Sequence, residues 1–250
     1  CPRPHSTRCS HSSPHAHSGR STSQIMWEVV SALLPTTAVG LDNFGFRGAM
    51  VVALTVLSAM AFEAIWQAAS RKGQTVMDGS ATLTGLLLAL NLPPSSPWWM
   101  CVVGGAVAIL LGKMVFGGLG QNPFNPALTG RVFLLIAFPA EMTTWLLPRA
   151  AGKMPETFLG QLTVARDGAG NVLAEGASKV DMITSATPLG IINEQGYGAL
   201  GHMNFWDALL GHMINGSLGE VSALALLLGG GFLLFRRIIS WHIPVSFLVT

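Results

Sequence analysis

The best-placed reactive oxygen in this chain belongs to a threonine. Thr187 closes the stretch Asp181-Met182-Ile183-Thr184-Ser185-Ala186-Thr187 and is followed by Pro188. Proline pushes the residue before it out of the α region, so Thr187 is expected to be extended, with its hydroxyl presented outward. Ser185 and Ala186 are small enough to let a bulky planar group lie close to the backbone. Asp181 and Thr184 can fix the preceding turn through side-chain to backbone hydrogen bonds. This pattern suits an attachment point. Taken alone it equally suits an ordinary turn, because Ser, Thr and Pro are common loop residues.

A second constellation is Gly117-Gly118-Leu119-Gly120-Gln121-Asn122-Pro123-Phe124-Asn125-Pro126-Ala127, which leads into an apolar helix at Leu128 to Phe138. A glycine-rich loop ending in proline at a helix start leaves backbone N–H groups open to a ligand carbonyl or an anion. Asn122 and Asn125 read as helix caps first and ligand contacts second. Arg131 lies one turn inside the helix, placed either for a ligand or for the C-terminus of a neighbouring helix. Glu28, Glu63, Lys113 and Glu220 also fall within or beside apolar runs. A charge at such a place costs about 2.5–3.5 kcal/mol on insertion scales, so each must face protein or water. For Glu28, Glu63 and Lys113, near segment ends, snorkelling or an interhelical pair accounts for the position. Glu220 follows Gly219 at an expected helix start, where a carboxylate suits the dipole.

The elements that must position these residues are membrane spans. Half of the residues are hydrophobic, 10% are charged and mean hydropathy is +0.50, against about a quarter charged in soluble domains. The expected spans are 25–41, 46–69, 98–116 and 218–235, with a further one opening at Trp241. Residues 80–92 run into Pro93-Pro94 and are too short to cross about 30 Å of hydrocarbon, so they read as a half-helix or as a helix buried by others. Trp98-Trp99 stand where an aromatic belt would lie. The stretch 140–217 is mostly polar. Residues 1–20 hold four of the seven histidines and no signal-peptide core, which reads as a disordered tail. The three cysteines have neither disulfide-framework nor zinc spacing. A net charge of +2 gives no reason to expect a nucleic-acid partner. The chain opens on Cys1 and stops at Thr250 inside an apolar run, and we expect a piece of a longer protein.

Arg20, Arg71-Lys72, Lys113 and Arg236-Arg237 fall at alternate ends of successive segments. The positive-inside rule then places the N-terminus in the cytoplasm and the turn at Asp42-Asn43, the turn at Pro93-Pro94 and the whole 140–217 loop outside. Thr187 faces the periplasm in this arrangement.

With these segments in hand the sequence resembles the RnfD family of the Rnf electron-transport complex, related to the NqrB family of the sodium-translocating NADH:quinone reductase. The matching words are Ser13-Pro14 with Ser23-Gln24-Ile25-Met26, Leu83 to Ala89 with Pro93-Pro94, and Phe116 to Ala127. Phe138 to Trp145, Asp181 to Leu189, Gly219-Glu220 and Trp241-His242-Ile243-Pro244 complete them. The resemblance implies an all-α polytopic membrane protein of about ten helices in two inverted repeats, akin to urea channels and containing half-helices, with 21–250 as a truncated part of that domain. It implies FMN joined through its phosphate to the threonine of a D-x-x-[ST]-[SG]-A-T motif, here Thr187, within the bacterial inner membrane. A second, non-covalent flavin is an expectation from the quinone-reductase relative. The implied partners are the other Rnf subunits, membrane lipid and a periplasmic flavin transferase. That transferase would supply the metal-assisted phosphoryl transfer from FAD that a weak threonine nucleophile needs, so no base is required in this chain. Asp78-Gly79-Ser80-Ala81-Thr82 also contains Ser-Ala-Thr, but its aspartate is two positions too close and it lies on the expected inner side.

Two further readings compete with the electron carrier. One is a passive channel or transporter of the urea-channel or aquaporin type, suggested by Asn125-Pro126-Ala127, although aquaporins need two such triplets and one occurs here. The other is a bare helical scaffold. The orientation is open to test by cysteine labelling. An impermeant reagent added from the periplasmic side is expected to reach a cysteine placed at Asn171 and to miss one placed at Lys72, and the reverse pattern overturns the topology.

Overall fold

A computed structural model describes residues 21–70, 76–145, 164–166, 172–174, 205–211 and 216–249. The expected N-terminal tail and the Asp181 to Thr187 motif lie outside them. The described body is helical, with one two-stranded antiparallel ribbon inside the long polar stretch. Its strands are β1 (Val164–Arg166) and β2 (Val172–Ala174), with Ala165 opposite Leu173.

Helix α1 (Thr22–Ala69) opens with a capping box in which the Ser21 hydroxyl accepts from the Gln24 N–H and the Gln24 side chain accepts from the Ser21 N–H. It is long and apolar enough to cross a membrane. Its helical geometry is interrupted at Gly45, where φ is 56° and ψ is −135°, a conformation open in practice only to glycine. The chain folds back there. A Cβ on Gly48 would stand 3.4 Å from the carbonyl oxygen of Gly40, although residues eight apart in a continuous helix lie about 12 Å from one another. The two spans expected over 25–41 and 46–69 are therefore the two arms of α1. Their break falls just after the expected Asp42-Asn43 turn, because Gly45 tolerates the geometry and Asn43 holds helix by donating to the carbonyls of Val39 (3.1 Å) and Gly211 (3.0 Å).

A 3₁₀ turn (Val76–Asp78) leads into α2 (Ser80–Leu90), eleven residues and about 16 Å long. This is the expected half-helix, and most of its surface is buried. Helix α3 (Trp98–Ile109) continues into a π-helical turn (Leu110–Met114). Helix α4 (Pro126–Ala137) and the short α5 (Pro139–Met142) come next, then α6 (Phe205–Leu210), α7 (Ala223–Phe235) and α8 (His242–Val249). The expected span at 218–235 begins later than its hydropathy suggested. Ser222 caps α7 by accepting from the Ala225 N–H (3.3 Å), and residues 218–221 are non-helical. Glu220 is thus exposed in that loop and not at a helix start.

The core joins the α1 arms, α2, α3, α4 and the 218–221 loop through Phe44, Val51, Leu88, Leu92, Met100, Leu134 and Leu218. Small residues let the backbones approach closely, as is usual where no hydrophobic drive separates helix from lipid. A Cβ on Gly85 would lie 2.7 Å from Val56 Cα, and one on Gly104 2.7 Å from a methyl of Leu134. The outer side of α4 (Leu128, Val132, Leu135, Ile136) is apolar and exposed, which suits hydrocarbon. Trp98 is exposed, whereas Trp99 packs edge-on against Phe138 with centroids 5.0 Å apart.

Contacts between remote segments sort the helix ends into two sets. Trp27 lies over Gly79, Glu28 pairs with Arg236, and Glu63 pairs with Lys113. At the opposite end Asn43 meets Gly211, Leu92 meets Leu218, and Ser95 donates to the Thr144 carbonyl at 2.6 Å. Lys113 and Arg236 therefore share an end with the start of α1, as the alternation of basic residues requires.

Gly85→Ala tests the close packing. Its Cβ meets backbone, which cannot swing aside, so the substitution is expected to destabilise the protein by about 1–3 kcal/mol. Thermal unfolding in detergent would show it as a lowered Tm.

Candidate functional site

Two polar regions flank the half-helix α2. The first is at its C-terminal end, where the Asn-Pro helix converges. A helix that stops inside a protein leaves its last carbonyls without intrahelical donors, and here each receives one. The side chain of Asn91 donates to the Leu87 carbonyl (2.8 Å), and the Asn91 and Leu92 N–H groups donate to Leu88 and Ala89. The 218–219 loop then supplies Gly219 N–H to the Leu90 carbonyl (2.8 Å) and Leu218 N–H to the Leu92 carbonyl (3.2 Å). Arg131, from α4, donates to Asn91 Oδ1 at 2.9 Å. Of the two partners open to Arg131 in the sequence, the structure shows the helix C-terminus, where a cation suits the dipole.

Asn125 is the N-cap of α4, its Oδ1 accepting from the Ala127 N–H at 3.0 Å, while the Thr129 N–H donates to the Asn125 carbonyl. With Pro126, which has no N–H, at the first helical position, the cap takes up the Ala127 donor at the helix start. Asn122 is not a cap. Its Oδ1 is buried and accepts from no group among the described residues. A buried acceptor without a donor is costly in a protein interior. Beside it, Gly118 and Gly120 border open space.

The second region is at the N-terminal end of α2, and sequence reasoning saw only its pieces. Lys113 Nζ donates to Glu63 Oε2 at 2.6 Å and to Ser80 Oγ at 2.6 Å. Ser80 Oγ donates in turn to Asp78 Oδ1 at 2.6 Å, and the Ser80 N–H reaches the same oxygen at 2.8 Å. Gln67 Nε2 donates to Glu63 Oε1 at 2.9 Å. Glu63 is 0% exposed and Lys113 2%. Of the alternatives for these two charges, the interhelical pair is the one found. Asp78, set aside in the sequence as part of a decoy, is a member of the network, and Thr82 lies in the first turn of α2. The signal that would have found the network was a Glu and a Lys, each inside an apolar run. What could not be read was the π-helical turn that carries Lys113. It adds a residue to the turn and so rotates the remainder of the helix by about 100°, seating Gly112 so tightly that a Cβ there would stand 2.9 Å from Pro126 Cα.

A helical body with one helix long and apolar enough to cross a membrane, a buried half-helix and an ion pair sealed between helices has the architecture of an integral membrane protein. The chain belongs to the NQR2, RnfD, RnfE family, whose model matches residues 9–250. It is 46% identical over 238 residues to the D subunit of the ion-translocating oxidoreductase complex of Stutzerimonas stutzeri, covering 92% of this chain and 65% of that protein. It is 38% identical over 244 residues to the D subunit of the proton-translocating ferredoxin:NAD(+) oxidoreductase complex of Clostridium ljungdahlii, with 96% of this chain and 66% of that protein covered. It is also 40% identical over 240 residues to the D subunit of the Na(+)-translocating ferredoxin:NAD(+) oxidoreductase complex of Acetobacterium woodii, with 96% and 66% covered. The chain spans about two thirds of the length of these relatives.

Arg131→Met removes the charged donor at Asn91 and leaves an acceptor in the interior. It is expected to lower stability by about 1.5–3 kcal/mol, visible as a reduced Tm, with Arg131→Lys recovering part of the loss.

Proposed function

We propose that this chain is the FMN-carrying membrane subunit of an ion-translocating ferredoxin:NAD oxidoreductase complex. It would pass electrons through a flavin esterified to Thr187 and contribute to coupled movement of Na⁺ or H⁺. The observation that carries this reading is identity of 38–46% to the corresponding subunits of such complexes along more than nine tenths of the chain, together with the Asp181 to Thr187 motif in the same sequence. In this reading the protein sits in the bacterial inner membrane with its N-terminus in the cytoplasm and Thr187 in the periplasm. It is matured there by a flavin transferase and packed among the other subunits of its complex. The fold would be the ten-helix inverted repeat of which 21–250 forms part.

Bound flavin supplies one- and two-electron chemistry, while the protein sets its position and access. Attachment keeps it at high effective concentration beside its partners. The loop at Asn122 is compatible with a second, non-covalent flavin, because a ring N–H is the type of donor that the buried Oδ1 lacks. Arg131 is engaged with Asn91 and is not assigned to a cofactor. The channel reading rests on Asn125-Pro126-Ala127, whose asparagine caps its own helix.

Expression with the transferase is expected to give one band that fluoresces as flavin after denaturation. Thr187→Ala should abolish the fluorescence, Thr187→Ser should retain part of it, and Thr82→Ala should leave it unchanged. Fluorescence persisting in Thr187→Ala would remove the site assignment, and its absence from the unmutated protein would favour a channel or scaffold.

A further inference from the structure

An arginine enters an apolar helix at a cost, and Arg47 does so at an unfavourable place. It stands two residues after the break at Gly45, in the first turn of the second arm of α1, where the positive end of the helix dipole repels a cation. It is 5% exposed. A buried charge is costly unless it is paired and hydrogen-bonded, and the other fully buried cation among the described residues, Lys113, is paired with Glu63. Arg47 has no such partner among the described residues. Of the acids at that end of the body, Asp42, Glu141 and Glu220, none forms an ion pair with it. A second unpartnered donor lies against the same turn. Ser217 is 1% exposed and its Oγ has no hydrogen-bond partner. Its neighbour Leu218 packs beside Arg47, since a Cβ on Gly48 would stand 3.1 Å from a methyl of Leu218 and one on Gly40 2.6 Å from the Leu218 carbonyl oxygen. A guanidinium and a hydroxyl on touching segments match a ligand that is negatively charged and rich in acceptor oxygens. The planar fork of arginine fits two oxygens of one phosphate, and the dipole that repels Arg47 attracts such an anion.

We propose that Arg47 and Ser217 seat a phosphodiester anion. Two sources share that chemistry: the ester that joins the flavin to Thr187 in the reading above, and the headgroup of a phospholipid. Either carries one negative charge on two non-bridging oxygens, which one guanidinium neutralises and grips. The flavin ester is the favoured source, because Ser217 is the last residue of the 140–217 segment that carries Thr187. Assignment to the ester rests on the flavin-based reading, whereas the anion seat itself does not.

The protein is expressed with and without the transferase, extracted in detergent and freed of phospholipid, and its thermal unfolding is followed by circular dichroism, with in-gel flavin fluorescence reporting attachment. The flavin-carrying form is expected to melt about 3–6 °C above the flavin-free form. Arg47→Gln removes an unpaired buried charge, so its flavin-free form should melt no lower than the unmutated one, yet it should gain nothing from the flavin. Arg47→Lys keeps the charge without the fork and should gain less than the unmutated protein. For the second source, a short-chain phosphatidylglycerol is titrated onto the flavin-free form, with an uncharged diacylglycerol as control. A rise with flavin that Arg47→Gln lacks assigns the seat to the ester, and a saturable rise with phosphatidylglycerol alone that Arg47→Gln lacks assigns it to a headgroup. Absence of flavin fluorescence from the unmutated protein removes the flavin-based reading and leaves the lipid titration to decide the seat. The proposal is overturned if neither anion raises the melting temperature, or if Arg47→Gln gains as much as the unmutated protein. It is also overturned if flavin-free Arg47→Gln melts lower or fails to fold, because Arg47 would then serve the fold of the chain itself.

Discussion

The fold depends on closing the two polar ends of one short helix. Hydrocarbon offers no hydrogen bonds, so a helix that stops inside the membrane must find protein partners for its terminal groups. Helix α2 is eleven residues long and cannot reach water at both ends. Its last carbonyls are met by Asn91, by Leu92 and by the backbone of Leu218 and Gly219. Its first turn is held by Gly79 and Asp78. The folding back of α1 at Gly45, the irregular backbone of 91–97 and the position of the 218–221 loop all result from the need to surround this element.

Much of the architecture was legible because membrane spans announce themselves by length and apolar composition. The half-helix was legible because Pro93-Pro94 truncate it. Boundaries failed where hydropathy ran past the helix. Leu218 to Val221 are apolar apart from Glu220, yet they form a turn, in which the Leu218 and Gly219 N–H groups donate to the carbonyls of Leu92 and Leu90. The π-helical turn left no mark in Leu110 to Met114, because its cause is tertiary: Gly112 must seat against Pro126 while Lys113 reaches Glu63.

The candidate site was legible unevenly for a similar reason. Asn125 announced its cap, since a cap is a local event between residues two apart. Arg131 could not announce Asn91, forty positions away, and Asn122 looked like a cap because an isolated asparagine always does. The expectation for Thr187 was drawn from Pro188, the small residues before it and the family motif, and it falls on residues outside the described ones. Polar chemistry in this chain thus divides into local devices, which sequence displays, and remote pairs such as Glu63 with Lys113, which appear only as improbable charges in apolar runs.

The seal on α2 has a consequence for biosynthesis. Leu90 and Gly219 stand 129 positions apart, so α2 is made long before the backbone that satisfies its final carbonyl. During that interval the Leu90 carbonyl lacks the donor it has in the fold, and a hydrocarbon environment penalises a bare acceptor. The newborn segment has to wait in a wetter or proteinaceous shelter, such as the lateral gate of the insertion machinery, until the later segment arrives. Completion of the α2 terminus therefore couples two segments that are far apart in the chain.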